Sequence, residues 1–500
     1  MSTTPKAAAG ADADTAVAPP TGEFDRSLGL LATVALGFTY LSPLGAVAIL
    51  LPLGLTTAGP PSIWWLLIVA LGQLTVALIF GEVVSQYPIT GGIYPWARRL
   101  WGRRYAWMAA WIYLCALVVT IASVVEFSTV VTANLFGFEL TSATTLLLVI
   151  VVLMVALVIN VSGTRALAMA AKIGFGAEVI GVVSFGLYLL LFQRHNSIGV
   201  LFDTMGVVGA NGSYLGAFLL ASLVGLFLFY GFEACGDVAE EVTSPSREIP
   251  KAMIWTVVVG FMSAFLAFIG FILAAPNLQA ILDGEIADPV SAILDAVMGH
   301  FWSKVFLAIA LTAIMSCVLS LQAALSRLIF AFARDKMLPG HAALSKLTRD
   351  KTPRNALLLA SLAPMVLGVW VFIYPSSLPR VTAFGVIGIY VCFQMVVLAA
   401  LRQRVKGWKP AGKFSLGALG PVLNVVALLY GIAGIVVLAL PGDADLAFAD
   451  RWVVLLGLAT VIVMGAVYLV IAKPYRHSDE PEGDAVEVAQ AIRSGKIRLS

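Results

Sequence analysis

Two interruptions in apolar sequence mark where this chain could do chemistry. Glu233 stands within the run Phe229, Tyr230, Gly231, Phe232, Glu233, Ala234, Cys235, Gly236. A carboxylate in sequence otherwise suited to hydrocarbon is costly and marks a functional or paired group. Gly231 and Gly236 bracket it and are poor helix formers. Carbonyls freed there, with the carboxylate, would make an electronegative pocket for an ammonium or guanidinium group. Pairing with a structural arginine or a backbone amide is the alternative. The second interruption is Tyr40, Leu41, Ser42, Pro43, Leu44, Gly45. Pro43 has no N–H to give the helical ladder, and Ser42 and Gly45 permit an unwound turn. The helix resuming after it would aim its positive end into the gap, a place for a carboxylate. A simple proline kink is the plainer reading. Tyr40, Tyr230 and Phe232 could cover a bound cation with their ring faces, or serve only as packing.

Other charges are fewer and more ambiguous. Glu178 falls about six residues into an apolar run, roughly 9 Å deep at 1.5 Å per residue. There it would either exchange a proton or reach water or Lys172. Glu126 would line an outer vestibule or be a satisfied structural carboxylate. Glu240 and Glu241, close in sequence to Arg247 and Lys251, read as ion pairs of a gate or loop. Ser316, Ser320 and Gln322 could offer oxygens to a small cation, or pack helices. His195, His300, His341 and His477 fall in loops or tails with no His-Glu-x-x-His spacing, which argues against a metalloenzyme. Cys115, Cys235, Cys317 and Cys392 are scattered through apolar runs and suggest neither disulfides nor a metal site.

The elements that must hold these residues are membrane helices. The chain has 500 residues, 60% hydrophobic and 12% charged, with mean hydropathy +0.95, too little polar surface for a soluble protein of this length. A net charge of +3 does not suggest nucleic acid. Apolar runs long enough to span a bilayer occupy 28–53, 63–85, 106–133, 143–162, 173–192, 214–240, 250–275, 303–333, 355–374, 378–402, 418–440 and 450–472. With both termini in the cytoplasm, only Arg194, Lys304, Arg380 and Arg451 of the 31 Lys and Arg fall outside, and Arg327 lies within a span. Such a bias fixes the orientation. Residues 1–24 and 476–500 read as polar cytoplasmic tails; 487–493 suits either a short surface helix or loose chain. Residues 86–99 suit an interfacial segment and 288–298 a short outer helix. Two interrupted spans in corresponding halves of a chain point to a transporter's binding site.

Four stretches together resemble the amino acid–polyamine–organocation (APC) superfamily of permeases across about residues 25–475. They are Ser42 and Pro43 in the interrupted first span; Gly81, Glu82, Tyr87, Pro88, Gly91, Gly92, Tyr94 and Trp96; Tyr230 to Glu233 continuing to Glu240, Glu241, Pro245, Arg247 and Pro250; and Ser326, Arg327, Arg334, Asp335 and Pro339. The resemblance implies an all-α protein of 12 transmembrane helices. It would hold a five-plus-five inverted repeat of the LeuT type (about 28–192 and 214–402) plus two further helices (about 418–472). Substrate would sit between the unwound parts of spans one and six. Spans one, two, six and seven would move against the rest. The family's frequent Gly-Ser-Gly break reads Ser42, Pro43, Leu44, Gly45 here, which leaves room for amines and γ-amino acids. Where several sodium-independent members place a lysine, this chain has Glu178. The resulting expectation is a secondary transporter importing a small amino acid or amine, with no cofactor beyond a coupling proton or sodium. Ser42 to Gly45 would take an anionic end, Gly231 to Glu233 a cationic one, and Glu178 the proton. Exchange of substrates is the nearest rival. Nothing in the sequence sets the oligomeric state.

Overall fold

The computed structural model describes residue 24 and residues 26–208, 212–286, 288–374, 378–441, 447–497 and 499. Nearly all of the expected N-terminal tail lies outside the described residues. The chain is helical throughout, with one isolated bridge, Leu28 to Val242, in place of any sheet among the described residues.

The first half holds α1 (Leu30–Leu41), α2 (Pro43–Ala58), α3 (Trp64–Gln86), α4 (Ile93–Leu100), α5 (Arg103–Phe136), α6 (Ser142–Val161) and α7 (Thr164–Phe192). Next come the short α8 (Tyr214–Leu220), α9 (Leu223–Leu228) and α10 (Ala234–Asp237), then α11 (Pro245–Ala274). Beyond these are α12 (Leu278–Leu282), α13 (Pro289–Met298), α14 (His300–Arg334), α15 (His341–Leu344), α16 (Arg354–Ile373) and α17 (Leu378–Val405). The chain ends with α18 (Gly420–Leu438), α19 (Phe448–Arg451), α20 (Val453–Ala472) and α21 (Ala485–Arg493). Counting α1 and α2 together, 11 helical segments among the described residues are long and apolar enough to cross a bilayer.

The segment 214–241 is not one of the 11, because its apolar run is broken into pieces too short to span alone. It begins where the Tyr214 hydroxyl donates to Ala58 O at 2.9 Å. It ends where Leu28 N donates to Glu241 O at 3.0 Å. It therefore runs antiparallel beside the α1–α2 pair, and the two breaks meet midway.

Burial sorts the helices. The most apolar window of the α1–α2 pair is 89% buried inside the protein, that of α20 only 6%. The first is an axis of the bundle; the second presents Val463, Val467, Val470 and Ile471 outward, as a lipid-facing helix must. α11 packs along α3 and α7, and α14 along α5 and α7. α1 lies against α7, α11 and α14, so the break at its end is enclosed on all sides.

One sequence expectation is corrected and one pair of alternatives is decided. α7 starts at Thr164 after Gly163 at φ 103, well before residue 173, because Arg165 and Lys172 are accommodated at its end. Glu178 is therefore about 21 Å along the helix at 1.5 Å per residue, near its middle. Of the two readings of 487–493 the short helix holds, as α21, and it is not loose. Gln86 Nε2 donates to Ala485 O at 3.0 Å, and the Arg99–Asp484 pair is 3.0 Å apart. These contacts pin the segment over α4, whose residues are all buried. The face carrying Leu28 and α21 is called the terminal face below.

Candidate functional site

Ser42 adopts φ 46, ψ 67 between α1 and α2. That left-handed conformation is uncommon outside glycine and costs about 1–3 kcal/mol. Pro43 imposes part of it, since the residue before a proline is pushed out of the right-handed helical region. The ladder is only briefly broken: Ser42 N bonds Phe38 O at 3.0 Å and Ala46 N bonds Ser42 O at 2.9 Å. The first free donor of α2, Leu44 N, is met by Glu178 Oε1 from α7 at 2.9 Å.

The second break follows α9. Gly231 sits at φ 122, a conformation that favours glycine, and a Cβ there would lie 2.1 Å from Tyr40 Cδ1. The ring of Tyr40 therefore rests on bare backbone. Glu233 is fully buried and folds back on its own loop. Its Oε2 accepts Gly231 N–H at 2.7 Å, and its Oε1 accepts the Tyr113 hydroxyl of α5 at 3.1 Å.

Beside the breaks lies a small cavity, walled by α1, α2, α5, α9 and α14. Its polar lining is Tyr40, Ser42, Thr120, Tyr230 and Cys317, with Gly45 at the start of α2. Leu41, Ile49, Leu50, Val124, Phe227 and Ile314 supply most of the rest. Tyr40 Oη and Ser42 Oγ are buried without a hydrogen-bond partner among the described residues. Buried polar atoms are rarely left so unless something else meets them. The Tyr40 and Tyr230 rings stand edge to face, 6.3 Å apart at 83°. A mainly apolar chamber with a few convergent polar atoms is the usual form of a small-molecule site.

Tyr40, Ser42, Gly45 and Tyr230 are thus brought together on the cavity wall. Pro43 and Leu44 are not in its lining, Gly231 lies under Tyr40, and Phe232 packs against Phe80 and Phe393 at 5.9 and 5.5 Å. Glu233 and Glu178 both touch the breaks but neither lines the cavity. Glu126 is half-buried and lines a separate pocket with Leu140, Thr141 and Thr145. Of the proposed cation ligands, Ser320 bonds Thr39 at 2.9 Å and Gln322 bonds Leu153 O at 3.2 Å. Ser316 closes on Gly174. These contacts join helices.

Glu240 and Glu241 form ion pairs, but not with Arg247 and Lys251, which point outward from the first turns of α11. Arg327 of α14 grips both oxygens of Glu241, Nε at 2.9 Å and Nη2 at 3.2 Å, and Thr164 Oγ1 adds a third bond at 2.6 Å. Arg334 pairs with Glu240 at 3.1 Å, and Thr90 N also donates to Glu240. The two pairs form a layer between the cavity and the terminal face. Sequence reasoning missed Tyr113, Thr120 and Cys317, which carry no mark among the residues of apolar helices. It also missed Asp237, which had one: a second carboxylate four residues after Glu233 in the same run.

A family model described as "Amino acid permease" matches residues 28–467. The amino-acid permease BAT1 homolog of Oryza sativa subsp. japonica is 23% identical, over 84% of this chain and 85% of its own. The branched-chain amino acid permease BcaP of Lactococcus lactis subsp. cremoris is 25% identical, over 69% and 76%. The choline transporter of Saccharomyces cerevisiae is 23% identical, over 83% and 76%. The chain belongs to the amino acid permease family of the APC superfamily: a multi-pass membrane transporter, not an enzyme.

Proposed function

We propose that this permease is a secondary active transporter that imports a small amino acid or amine across the plasma membrane by alternating access, together with protons. In this reading both termini are cytoplasmic, and the crowding of Lys and Arg on the terminal face supports it. The α1–α2 pair and the segment 214–241 would be spans one and six of a five-plus-five inverted repeat, with α18 and α20 appended. Their antiparallel course and adjoining breaks support that assignment.

The observation that carries the reading is the cavity at the meeting of the breaks, with Tyr40 Oη and Ser42 Oγ unpartnered in its wall. A cationic nitrogen would lie against the Tyr40 and Tyr230 rings, and a compact apolar body against Ile49, Val124 and Ile314. Branched-chain amino acids and choline, named for two of the relatives, share that build.

Glu178 would couple the proton. It holds the Leu44 amide at the positive end of α2, where a substrate carboxylate would otherwise be stabilised. Two negative charges repel strongly at one buried helix end. A substrate carboxylate therefore enters with Glu178 neutralised, and substrate and proton travel together. The test is uptake of labelled leucine, whose carboxylate the coupling requires, into liposomes containing the protein, with the outside made acid. Accumulation driven by the gradient in wild type, and lost in Glu178→Gln that still binds substrate, is expected. Uptake that ignores the gradient, or that needs substrate inside, would overturn the coupling.

A further inference from the structure

Asp237 is a buried charge that the coupling at Glu178 leaves unused. It ends α10, is fully buried, and neither of its carboxylate oxygens has a hydrogen-bond partner among the described residues. Its surroundings are closely built. Its backbone carbonyl accepts Gly91 N–H at 3.1 Å. A Cβ on Gly92 would lie 2.4 Å from Asp237 Oδ1, so only a glycine turn fits beside the carboxylate.

The groups acting on it come from every side: Glu233 and Cys235 on its own segment, Tyr113 on α5, Tyr40 on α1 and Arg327 on α14. None satisfies it as an anion. Arg327 commits Nε and Nη2 to Glu241 and Nη1 to Ser326. Tyr113 gives its single hydroxyl hydrogen to Glu233 at 3.1 Å. Tyr113 lies beside two carboxylates with one hydrogen to give, so the string Asp237, Tyr113, Glu233 is completed only by another proton. A buried carboxylate that shares its one nearby hydroxyl with Glu233 and its nearest arginine with Glu241 is poorly compensated for desolvation, and a proton removes that cost.

We propose that Asp237 is a second proton-binding site, distinct from Glu178, loaded while the terminal face is closed and emptied through that face when it opens. Glu240 and Glu241 follow it by three and four residues, and their pairs with Arg334 and Arg327 close the way out. When those pairs part and α10 leaves the Gly91–Gly92 turn, water reaches the carboxylate. The O–H bond of the acid then breaks, the carboxylate keeps the electron pair and water takes the proton. Opening and proton release are thereby linked equilibria. The inference rests on the transport cycle proposed above but not on the role of Glu178.

Infrared difference spectra of the purified protein in lipid, titrated with acid and base, test this without transport. A carbonyl stretch of a protonated acid should vanish in Asp237→Asn, persist in Glu178→Gln and shift in Asp237→Glu, which keeps the group if the amide does not fold. In liposomes with the terminal face outward, Asp237→Asn should exchange substrate normally while net flux loses its dependence on pH at that face. A spectrum in which Asp237→Asn and Asp237→Glu both match wild type would overturn the site, as would unchanged pH dependence of flux in Asp237→Asn. Wild-type flux indifferent to every pH gradient would instead overturn proton coupling as a whole. The infrared band would then still decide whether Asp237 is a proton site.

Discussion

The ring of Tyr40 lies on the bare backbone of Gly231, so closely that a Cβ there would fall 2.1 Å from its Cδ1. This contact joins the two interrupted segments directly, side chain of one on main chain of the other. It positions both tyrosines of the cavity, since Tyr230 adjoins Gly231 and meets Tyr40 edge to face.

Gly231→Ala is expected to abolish uptake. The methyl group would displace Tyr40, and φ 122 adds backbone strain of about 1–3 kcal/mol. Adding Tyr40→Ala should relieve the clash but not the strain, so folded protein should recover further than transport. Thermal melting and uptake of the two variants would measure this. Full transport by Gly231→Ala alone would mean that the breaks do not pack this way in the working protein.

How far the sequence reached follows from the same residues. Pro43 and the glycines around Glu233 advertised both breaks, because a missing N–H and a missing Cβ are chemical facts before any folding. Apolar length marked the membrane helices, and the ends of α3, α6 and α16 fall within about two residues of those runs, the usual uncertainty of helix ends. What stayed hidden depended on rotation about helix axes and on contacts between distant segments. Nothing local tells that Tyr113 faces Glu233 while Leu114 does not, or that Arg327 reaches Glu241 across 86 positions. Sequence distance alone pairs Glu240 and Glu241 with Arg247 and Lys251. The start of α11 turns those residues outward, and α14 supplies the partners.

The Arg327–Glu241 pair should behave as a buried couple whose halves are worth keeping only together. Both side chains are essentially inaccessible, at 1% and 0% exposure. Arg327→Met leaves an uncompensated carboxylate and should lower stability by about 3–5 kcal/mol. The double variant Arg327→Met with Glu241→Gln removes both charges and should regain most of it. Chemical denaturation in detergent measures the four species of the cycle. Additive losses, with no recovery in the double variant, would show that the pair is not coupled.

The C-terminal segment offers a pH dependence whose sign can be worked out outside the membrane. Burial under α21 pushes the Asp484 carboxyl above its ordinary value of 3.8, with Arg99 at 3.0 Å pulling it part of the way back. A group whose value is raised in the docked state binds protons better docked than free. Docking is therefore favoured as pH falls and weakens as pH rises through the raised value. Tyr87 donates to the same carboxylate at 3.3 Å, and Glu487 adds a repulsion that also favours the proton. Spin labels at Ser494 and Lys413, both exposed, would report the docked fraction by their separation. The short-distance population should grow on acidification from neutral pH in wild type. In Asp484→Asn, which carries the neutral form permanently, it should be nearly independent of pH. A wild-type docked fraction that instead grows as pH rises would mean that the Arg99 ion pair, rather than burial, governs the latch.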